Sequence, residues 1–329
     1  MVSSWLLGLS RPGQRGALRS GKSSGSALAR ASVSLWQSIA LLWQIELPTD
    51  VLPTLLISAA GSRTCVLNQA TGSLTCWEEA DLDEIHAASD LGPLLTVAAG
   101  TGHTCTITML GELVCFGAND HGQCNVPPDL HRVVSVAVGD LHSCAVRPGG
   151  QLVCFGWNGS GQCDVPKDLG AVVSVSAGAQ HTCAVTSGRG LVCFGGSAEV
   201  GECNIPSDLG HVVSVFCAGL HTCVLTADQQ LRCFGWNGHG QCNVPADLGQ
   251  VAFVSTGALH TCTVTVHAEL VCFGWNEYGQ CDVPKDLGPV VSVAAGGGHT
   301  CALTVTGQLV CFGLVDEEIN RWSRAMQRP

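Results

Sequence analysis

Histidine and cysteine recur together along this chain, and these side chains bind metal ions, form disulfides or transfer protons. The stretch AGGGHTCALTVTGQLVCFG, at Ala295–Gly313, holds one histidine and two cysteines among apolar residues and glycine. Such a stretch admits three interpretations: a metal site, a redox site or a unit of scaffold. Its recurrence elsewhere in the chain helps to distinguish them.

The histidine belongs to a repeated unit. The triplet HTC or HSC recurs at intervals of 39, 39, 40, 39 and 39 residues, and a degenerate copy, RTC at Arg63–Cys65, lies 40 residues before the first. A catalytic site needs one asymmetric set of nucleophile, base and orienting group, so six copies without a fixed carboxylate partner predict no catalytic residue and no enzyme activity. A structural role, with a ring nitrogen bonded to a turn carbonyl, is expected for His103, His142, His181, His221, His260 and His299.

The cysteines show a second regularity. A three-residue turn at Val305–Gly307 would set Cys301 opposite Cys311 and Leu303 opposite Leu309 in a hairpin, within disulfide range. The same spacing gives the candidate pairs Cys105–Cys115, Cys144–Cys154, Cys183–Cys193, Cys223–Cys233, Cys262–Cys272 and Cys301–Cys311. In a reducing compartment these residues would be thiols that fill small apolar spaces. Further cysteines would lack partners, so we expect no essential disulfide; these are Cys124, Cys163, Cys203, Cys242 and Cys281.

The cysteine spacing does not predict a metal site. A tetrahedral site needs four converging ligands, whereas cysteines at facing positions form a nearly flat row with neighbours ~5 Å apart. The pattern C-x9-C-x8-C is no recognised zinc motif. We therefore expect neither a metal ion nor another cofactor.

The repeated unit is approximately VVSVAAG-xx-HTCAVT-xxG-xLVCFGWN-xxGQCxVPxDLG. It contains four short strand-like segments separated by Gly, Asn, Asp and Pro, which predicts an all-β fold, a seven-bladed β-propeller of four-stranded blades. Gln44–Pro53 matches Gln280–Pro289, so we expect an N-terminal strand to close the last blade. The propeller would span residues 44–313, between a leader at 1–43 and a C-terminal tail at 314–329.

Charge and composition limit the compartment and the partners. The leader is rich in Ser, Ala and Arg and resembles an organelle transit peptide or a disordered segment, so we expect a cytoplasmic or organellar protein. Residues 46–313 carry 7 basic and 23 acidic residues, which argues against binding nucleic acid through phosphates. No apolar run approaches the length of a membrane span. We expect a monomer whose protein partner has a basic surface.

Three loops, GWNGSG, GWNGHG and GWNEYG, concentrate the aromatic residues. One interpretation is that each tryptophan packs between blades. The other is that the loops form a rim where a partner docks, because aromatic residues dominate binding hot spots. The candidate binding residues are Trp157, Trp236, His239, Trp275 and Tyr278.

The unit AGxxHTCAVTxxGxLVCFGWNxxGQC resembles the repeat of the regulator of chromosome condensation family over about residues 44–313. The resemblance implies a seven-bladed propeller, but family members include a nucleotide-exchange factor, HERC-type ubiquitin ligases, an ultraviolet-B receptor and a bacterial β-lactamase inhibitor. We expect no ligase domain after Gly313, and the repeats show no long wedge insertion and no Trp-Arg pair before their histidines. We expect a non-catalytic protein-interaction scaffold; the alternatives are an exchange regulator of a small GTPase, a substrate-recognition propeller and a redox-responsive thiol protein.

Overall fold

The computed structural model describes residues 55–77, 91–315 and 319. Its 21 strands form seven antiparallel sheets of three strands each, which confirms the all-β class. In chain order, sheet 1 contains β1 Leu55–Ala60, β2 Arg63–Asn68 and β3 Ser73–Trp77; sheet 2 contains β4 Leu94–Ala99, β5 His103–Thr108 and β6 Leu113–Gly117; sheet 3 contains β7 Ser135–Val138, β8 His142–Val146 and β9 Leu152–Gly156; sheet 4 contains β10 Val172–Ala177, β11 His181–Thr186 and β12 Leu191–Gly195; sheet 5 contains β13 Val212–Ala218, β14 His221–Thr226 and β15 Leu231–Gly235; sheet 6 contains β16 Val251–Thr256, β17 His260–Thr265 and β18 Leu270–Gly274; sheet 7 contains β19 Val290–Ala295, β20 His299–Thr304 and β21 Leu309–Gly313.

The hairpin between the second and third strands has the predicted register. In sheet 7, Cys301 lies opposite Cys311 and Leu303 opposite Leu309. Gly307 takes the left-handed conformation with φ 82°. The turn geometry fixes this register, because one slipped residue would move every side chain to the other face of the sheet.

Three of these turns keep the same geometry without glycine. Arg189, Gln229 and Ala268 occupy the position of Gly307 and have φ values of 67°, 63° and 62°. The left-handed conformation costs a residue with a Cβ roughly 1–2 kcal/mol. The pairing of the flanking strands therefore imposes the turn on whichever residue stands there.

The sheets form a closed ring. The first strand of each sheet contacts the first strands of its neighbours, and β1 of sheet 1 packs against β19 and β20 of sheet 7. Leu55 and Val66 share one buried cluster with Leu303 and Leu309, although more than 200 positions separate the two pairs. Similar apolar clusters fill the spaces between successive sheets, so the core is divided into layers around the ring.

The predicted fourth strand is not seen in the GQCxVP segments that the structure describes. In the segment that follows sheet 6, the backbone N–H groups of Gly279, Asp282 and Val283 donate to carbonyls only two or three residues earlier. The Cys281 N–H donates to the Asn276 side chain at 2.7 Å. These local bonds use the groups that a strand would offer to a ladder, and the following proline has no N–H to add.

Several predictions fall on residues outside the described ranges. They concern the leader at 1–43, the closing strand at Gln44–Pro53 and most of the tail at 314–329. Within the part of the chain that the structure describes, no helix has the length and apolar character to cross a bilayer.

Candidate functional site

The repeated histidines form a belt around the ring, in which each ring nitrogen reaches a hydroxyl group on the next sheet. Between sheets 5 and 6, His221 Nε2 lies 3.0 Å from Thr261 Oγ1. Between sheets 7 and 1, His299 Nε2 lies 2.6 Å from Thr64 Oγ1, which closes the ring. The matching pairs are His103–Ser143, His142–Thr182, His181–Thr222 and His260–Thr300, and Arg63 donates to Thr104 in the remaining junction.

The hydroxyl group determines the histidine tautomer. Thr261 Oγ1 donates its only hydrogen to the Gln241 carbonyl at 2.9 Å. It must therefore accept a hydrogen bond from His221, which makes Nε2 the protonated ring nitrogen. The His221 Nδ1 atom has no partner among the described residues. The histidine thus reaches a hydroxyl group on the neighbouring sheet, a contact that the sequence did not predict.

Burial keeps the belt histidines neutral. It lowers the pKa of His221 and His299 to about 4, and that of His181 to about 3 with a further contribution from the neighbouring histidines. A charged imidazole would lose its hydration in this apolar interior, so the neutral form is favoured. The hydrogen bonds between these neutral rings and the facing hydroxyl groups join neighbouring sheets.

The candidate cysteine pairs face each other as predicted. In each pair the Cα atoms are 4.1 Å apart and the two sulfur atoms lie at bonding distance. A seventh pair, Cys65–Cys76, has the same geometry. The sequence analysis missed it because its separation is 11 residues instead of 10. The expectation that no disulfide is essential stays a prediction, since the redox state of the compartment decides it.

The GWN loops are shaped by their own side chains. After β15, the Trp236 N–H donates to the Leu220 carbonyl at 2.9 Å, which folds the loop over the end of sheet 5. The Asn237 side chain accepts from the Cys242 N–H and donates to Asn243 Oδ1, each at 2.8 Å. The loop therefore presents its tryptophan from a backbone that is fixed at both ends.

A buried glutamine fixes the second aromatic position of each loop. The His239 N–H donates to Gln241 Oε1 at 3.1 Å, and the Tyr278 N–H donates to Gln280 Oε1 at 3.0 Å. Both glutamine side chains are fully buried. These anchors are predictable in hindsight from the invariant position of glutamine in the GQC segment of the two loops.

Four rings from two neighbouring loops form a continuous row of edge-to-face and tilted contacts, which we call the aromatic rim. The centroids of Trp236 and His239 are 5.2 Å apart, those of His239 and Trp275 are 5.9 Å apart, and those of Trp275 and Tyr278 are 5.0 Å apart. The Tyr278 side chain is 50% exposed and the two tryptophans are half-buried. The rim thus combines the two interpretations, because each ring packs on its neighbours and keeps one side in solvent.

Trp157 stands apart from the rim. It occupies the same loop position after sheet 3, but among the described residues it makes no aromatic ring contact. Its own loop explains this, because Ser160 stands where His239 and Tyr278 stand in the two rim loops. Of the five candidate binding residues, the structure therefore brings four together and leaves Trp157 separate.

The end of the ring that carries the rim is acidic. Its loops contain three exposed acidic residues, Asp120, Glu199 and Glu277, and no Lys or Arg. These loops are residues 118–123, 157–162, 196–202, 236–241 and 275–280. Arg147 and Arg189 lie in turns at the opposite end of the sheets. That end also carries exposed carboxylates, including Asp129, which pairs with Arg147 at 3.6 Å, so the rim end differs mainly in that its described loops lack basic side chains. An acidic surface without basic side chains attracts basic partners.

Comparison with known families agrees with the repeat seen in the structure. The model of the regulator of chromosome condensation (RCC1) repeat matches residues 133–162, 172–199, 212–241 and 290–314, which span sheets 3, 4, 5 and 7. Four of the chain's repeat units match the RCC1 repeat. A comparison with curated protein sequences gave no significant match.

Solved structures share the architecture of this RCC1-repeat ring. The ectodomain of the receptor kinase CR4 of Physcomitrella patens has a TM-score of 0.66 and 22% identity, covering 79% of this chain and 73% of that one. Human WBSCR16 has a TM-score of 0.65 and 18% identity, covering 76% and 87%. Prp20p of Saccharomyces cerevisiae has a TM-score of 0.63 and 14% identity, covering 82% and 85%. At these identities the likeness shows the fold alone.

Proposed function

We propose that the RCC1-repeat ring is a non-catalytic scaffold that binds a basic segment of a protein partner on the aromatic rim. The observation that carries this proposal is the row of four contacting rings, Trp236, His239, Trp275 and Tyr278. The repeats and the fold support an interaction or regulatory role in general. The rim gives that role a location.

The physical basis is hot-spot chemistry in an acidic setting. Tryptophan and tyrosine supply rigid apolar area with a polar edge, which is the composition of the centre of many interfaces. Exposed tryptophan faces also attract Lys and Arg side chains through cation–π interactions. Glu277 lies within the same loop as Trp275 and Tyr278, so cationic residues that flank the contact would meet a negative charge.

A random peptide display library provides a defined probe of this surface. Peptides selected on the full chain should be enriched in Lys and Arg, and their affinity should fall at higher salt. Trp275 touches two other rings, so Trp275→Ala should weaken binding by about 2 kcal/mol, a factor of ~30. The matched control is Trp157→Ala, which removes the same side chain from an equivalent loop outside the rim.

The outcomes separate rim binding from binding elsewhere. Loss of affinity in Trp275→Ala with affinity retained in Trp157→Ala supports the rim. Equal losses in the two variants, or selected peptides without basic residues, contradict it.

A second experiment separates a non-catalytic scaffold from a regulator of nucleotide exchange. The structure of Prp20p is described together with the binding of that protein to Gsp1p and histones. Nucleotide release from small GTPases should be unchanged when this chain is added. Accelerated release would contradict the scaffold and favour the exchange regulator.

A further inference from the structure

The repeats depart from their common pattern in three places around the junction between sheets 4 and 5. Gly196 stands where Trp157 stands one repeat earlier, and Glu202 replaces the buried glutamine of four other loops. Cys217 in β13 lies opposite Thr222, a position that Ala177 occupies in sheet 4. All three changes meet where cysteine is most concentrated, which indicates that this junction differs from the others.

Two groups of metal-ligand side chains overlap here. The ligand atoms of His181, Cys183 and Cys217 lie within 4.8 Å of one another, and so do those of Cys183, Cys193 and Cys203. Cys183 belongs to both groups. Among the described residues these are the two clusters of this kind, and they share one junction.

The arrangement is three-dimensional, unlike the flat row expected in an ordinary sheet. His181 and Cys183 project from β11 of sheet 4, whereas Cys217 comes from β13 of sheet 5. Thr222 Oγ1 lies 2.9 Å from His181 Nε2, 3.9 Å from Cys183 Sγ and 3.8 Å from Cys217 Sγ. The ligand atoms of His181, Cys183 and Cys217 thus surround the Thr222 hydroxyl group and lie within 4.8 Å of one another. Sulfur ligands of a tetrahedral zinc ion are about 3.8 Å apart, given bonds of about 2.3 Å, so small side-chain movements would bring these ligands to a metal ion.

A buried carboxylate lies next to the cluster in the chain. Glu202 is fully buried, its Oε1 atom accepts a hydrogen bond from the Ser197 N–H at 2.8 Å, and its Oε2 atom has no partner among the described residues. The glutamines of the other loops are neutral and need no counter-charge. A buried carboxylate is stabilised by a nearby positive charge, because an unpaired charge in the interior is costly.

We propose that the reduced protein binds one thiophilic divalent cation of the zinc class at this junction. Cys183, Cys217 and the Nε2 atom of His181 supply three ligands, and Cys193 or Cys203 from the second group supplies the fourth. For this, His181 gives up its hydrogen bond to Thr222 and its ring proton moves to the unpartnered Nδ1 atom. Histidine nitrogen with three thiolates is a known tetrahedral zinc set. The half-exposed Cys193 and Cys203 provide the route by which the ion enters.

Binding requires a defined redox step. Cys183 cannot act as a thiolate while it is bonded to Cys193. A dithiol reductant transfers two electrons and two protons to this disulfide, so its own thiols become a disulfide and both cysteines become thiols. The cation then displaces the protons of the thiols that it binds, and these protons pass to water. The site is therefore available only in the reduced protein.

Titration of the full chain with Co²⁺ tests the proposal, because tetrahedral Co²⁺ with thiolate ligands has characteristic d–d absorption. The reduced, metal-free protein should bind one Co²⁺ per chain with these bands, and equimolar Zn²⁺ should remove them. Cys217→Ala restores the residue found at Ala177, and it should lower the affinity at least about 100-fold. The matched control, Cys281→Ala, removes a free cysteine from another junction and should leave the affinity unchanged.

The outcomes that contradict the proposal are also specific. They are the absence of tetrahedral bands in the reduced wild type, equal affinity in Cys217→Ala, and bands of equal strength in the oxidised protein. X-ray absorption of the zinc-loaded wild type provides a second measurement that needs no variant. A shell of three sulfur atoms and one nitrogen supports the site, whereas a shell of oxygen atoms contradicts it.

Discussion

The belt between sheets 5 and 6 provides the sharpest test of how the ring is held together. Thr261→Val keeps the shape of the side chain but removes its hydroxyl group. That group accepts from His221 Nε2 at 3.0 Å and donates to the Gln241 carbonyl at 2.9 Å. All three residues are fully buried, so water does not replace the lost partner.

The expected cost follows from these two contacts. Each buried polar group that loses its partner costs roughly 1–3 kcal/mol, so Thr261→Val should lower the free energy of unfolding by roughly 2–6 kcal/mol. That is a large fraction of the roughly 5–15 kcal/mol by which folded domains are stable. Urea unfolding, followed by circular dichroism, measures the change.

The control is Thr261→Ser, which keeps the hydroxyl group and loses one methyl group. Ser143 already performs this role in the belt, where it lies 2.9 Å from His103 Nε2. The methyl group contributes about 1 kcal/mol when buried. If Thr261→Val is no less stable than Thr261→Ser, the hydroxyl is not a structural element of the belt and our reasoning is wrong.

Three other predictions concern acid stability, turn strain and the rim. Burial lowers the pKa of the belt histidines in the folded protein, so the unfolded chain binds protons at a higher pH than the folded one. The histidine contribution to the free energy of unfolding should therefore be present above about pH 6.5 and be lost as the pH falls toward 4. Urea titrations should show a loss of about 1 kcal/mol per histidine between about pH 7 and 5.5. A flat profile in that window contradicts the burial of the belt. Ala268→Gly should raise the free energy of unfolding by up to about 1 kcal/mol, and Gly307→Ala should lower it, because glycine adopts the left-handed conformation of these turns without strain. Changes of the same sign in both variants would contradict turn strain at these positions. Gly238→Ala would place its Cβ 2.5 Å from the Trp236 ring, so tryptophan fluorescence should change, unlike in Gly188→Ala, where the nearest atom is 3.8 Å away.

The hairpin register was predictable because it depends on local turn geometry. The spacing of Cys301 and Cys311 and the glycine at Gly307 define which residues face each other. Arg189, Gln229 and Ala268 did not look like turn residues, yet they adopt the same conformation. The pairing of the flanking strands stabilises a turn conformation that these three residues do not favour by themselves.

The fourth strand could not be separated from a turn by alternation alone. The segment around Cys281 is short, and its backbone is satisfied by the Asn276 side chain and by nearby carbonyls. Side-chain caps of this kind compete with strand ladders and leave little trace in hydrophobic patterning.

Contacts between sheets were beyond the reach of sequence spacing. The partner of His221 lies 40 positions away on the next sheet, and the contact between His239 and Trp275 depends on the distance between two loops. The repeat predicted that such residues occupy equivalent places. It did not predict which neighbours they meet, because that depends on how far the sheets are rotated about the ring axis.

The central claim is that the aromatic rim, and not some other surface, receives a basic segment. The most direct measurement is a nuclear magnetic resonance titration of the full chain, labelled at its tryptophan indole nitrogens, with a selected Lys- and Arg-rich peptide. Our account predicts that the indole N–H signals of Trp236 and Trp275 shift with peptide concentration and that the signal of Trp157 does not. Shifts confined to other tryptophans, or binding without any indole shift, would contradict it.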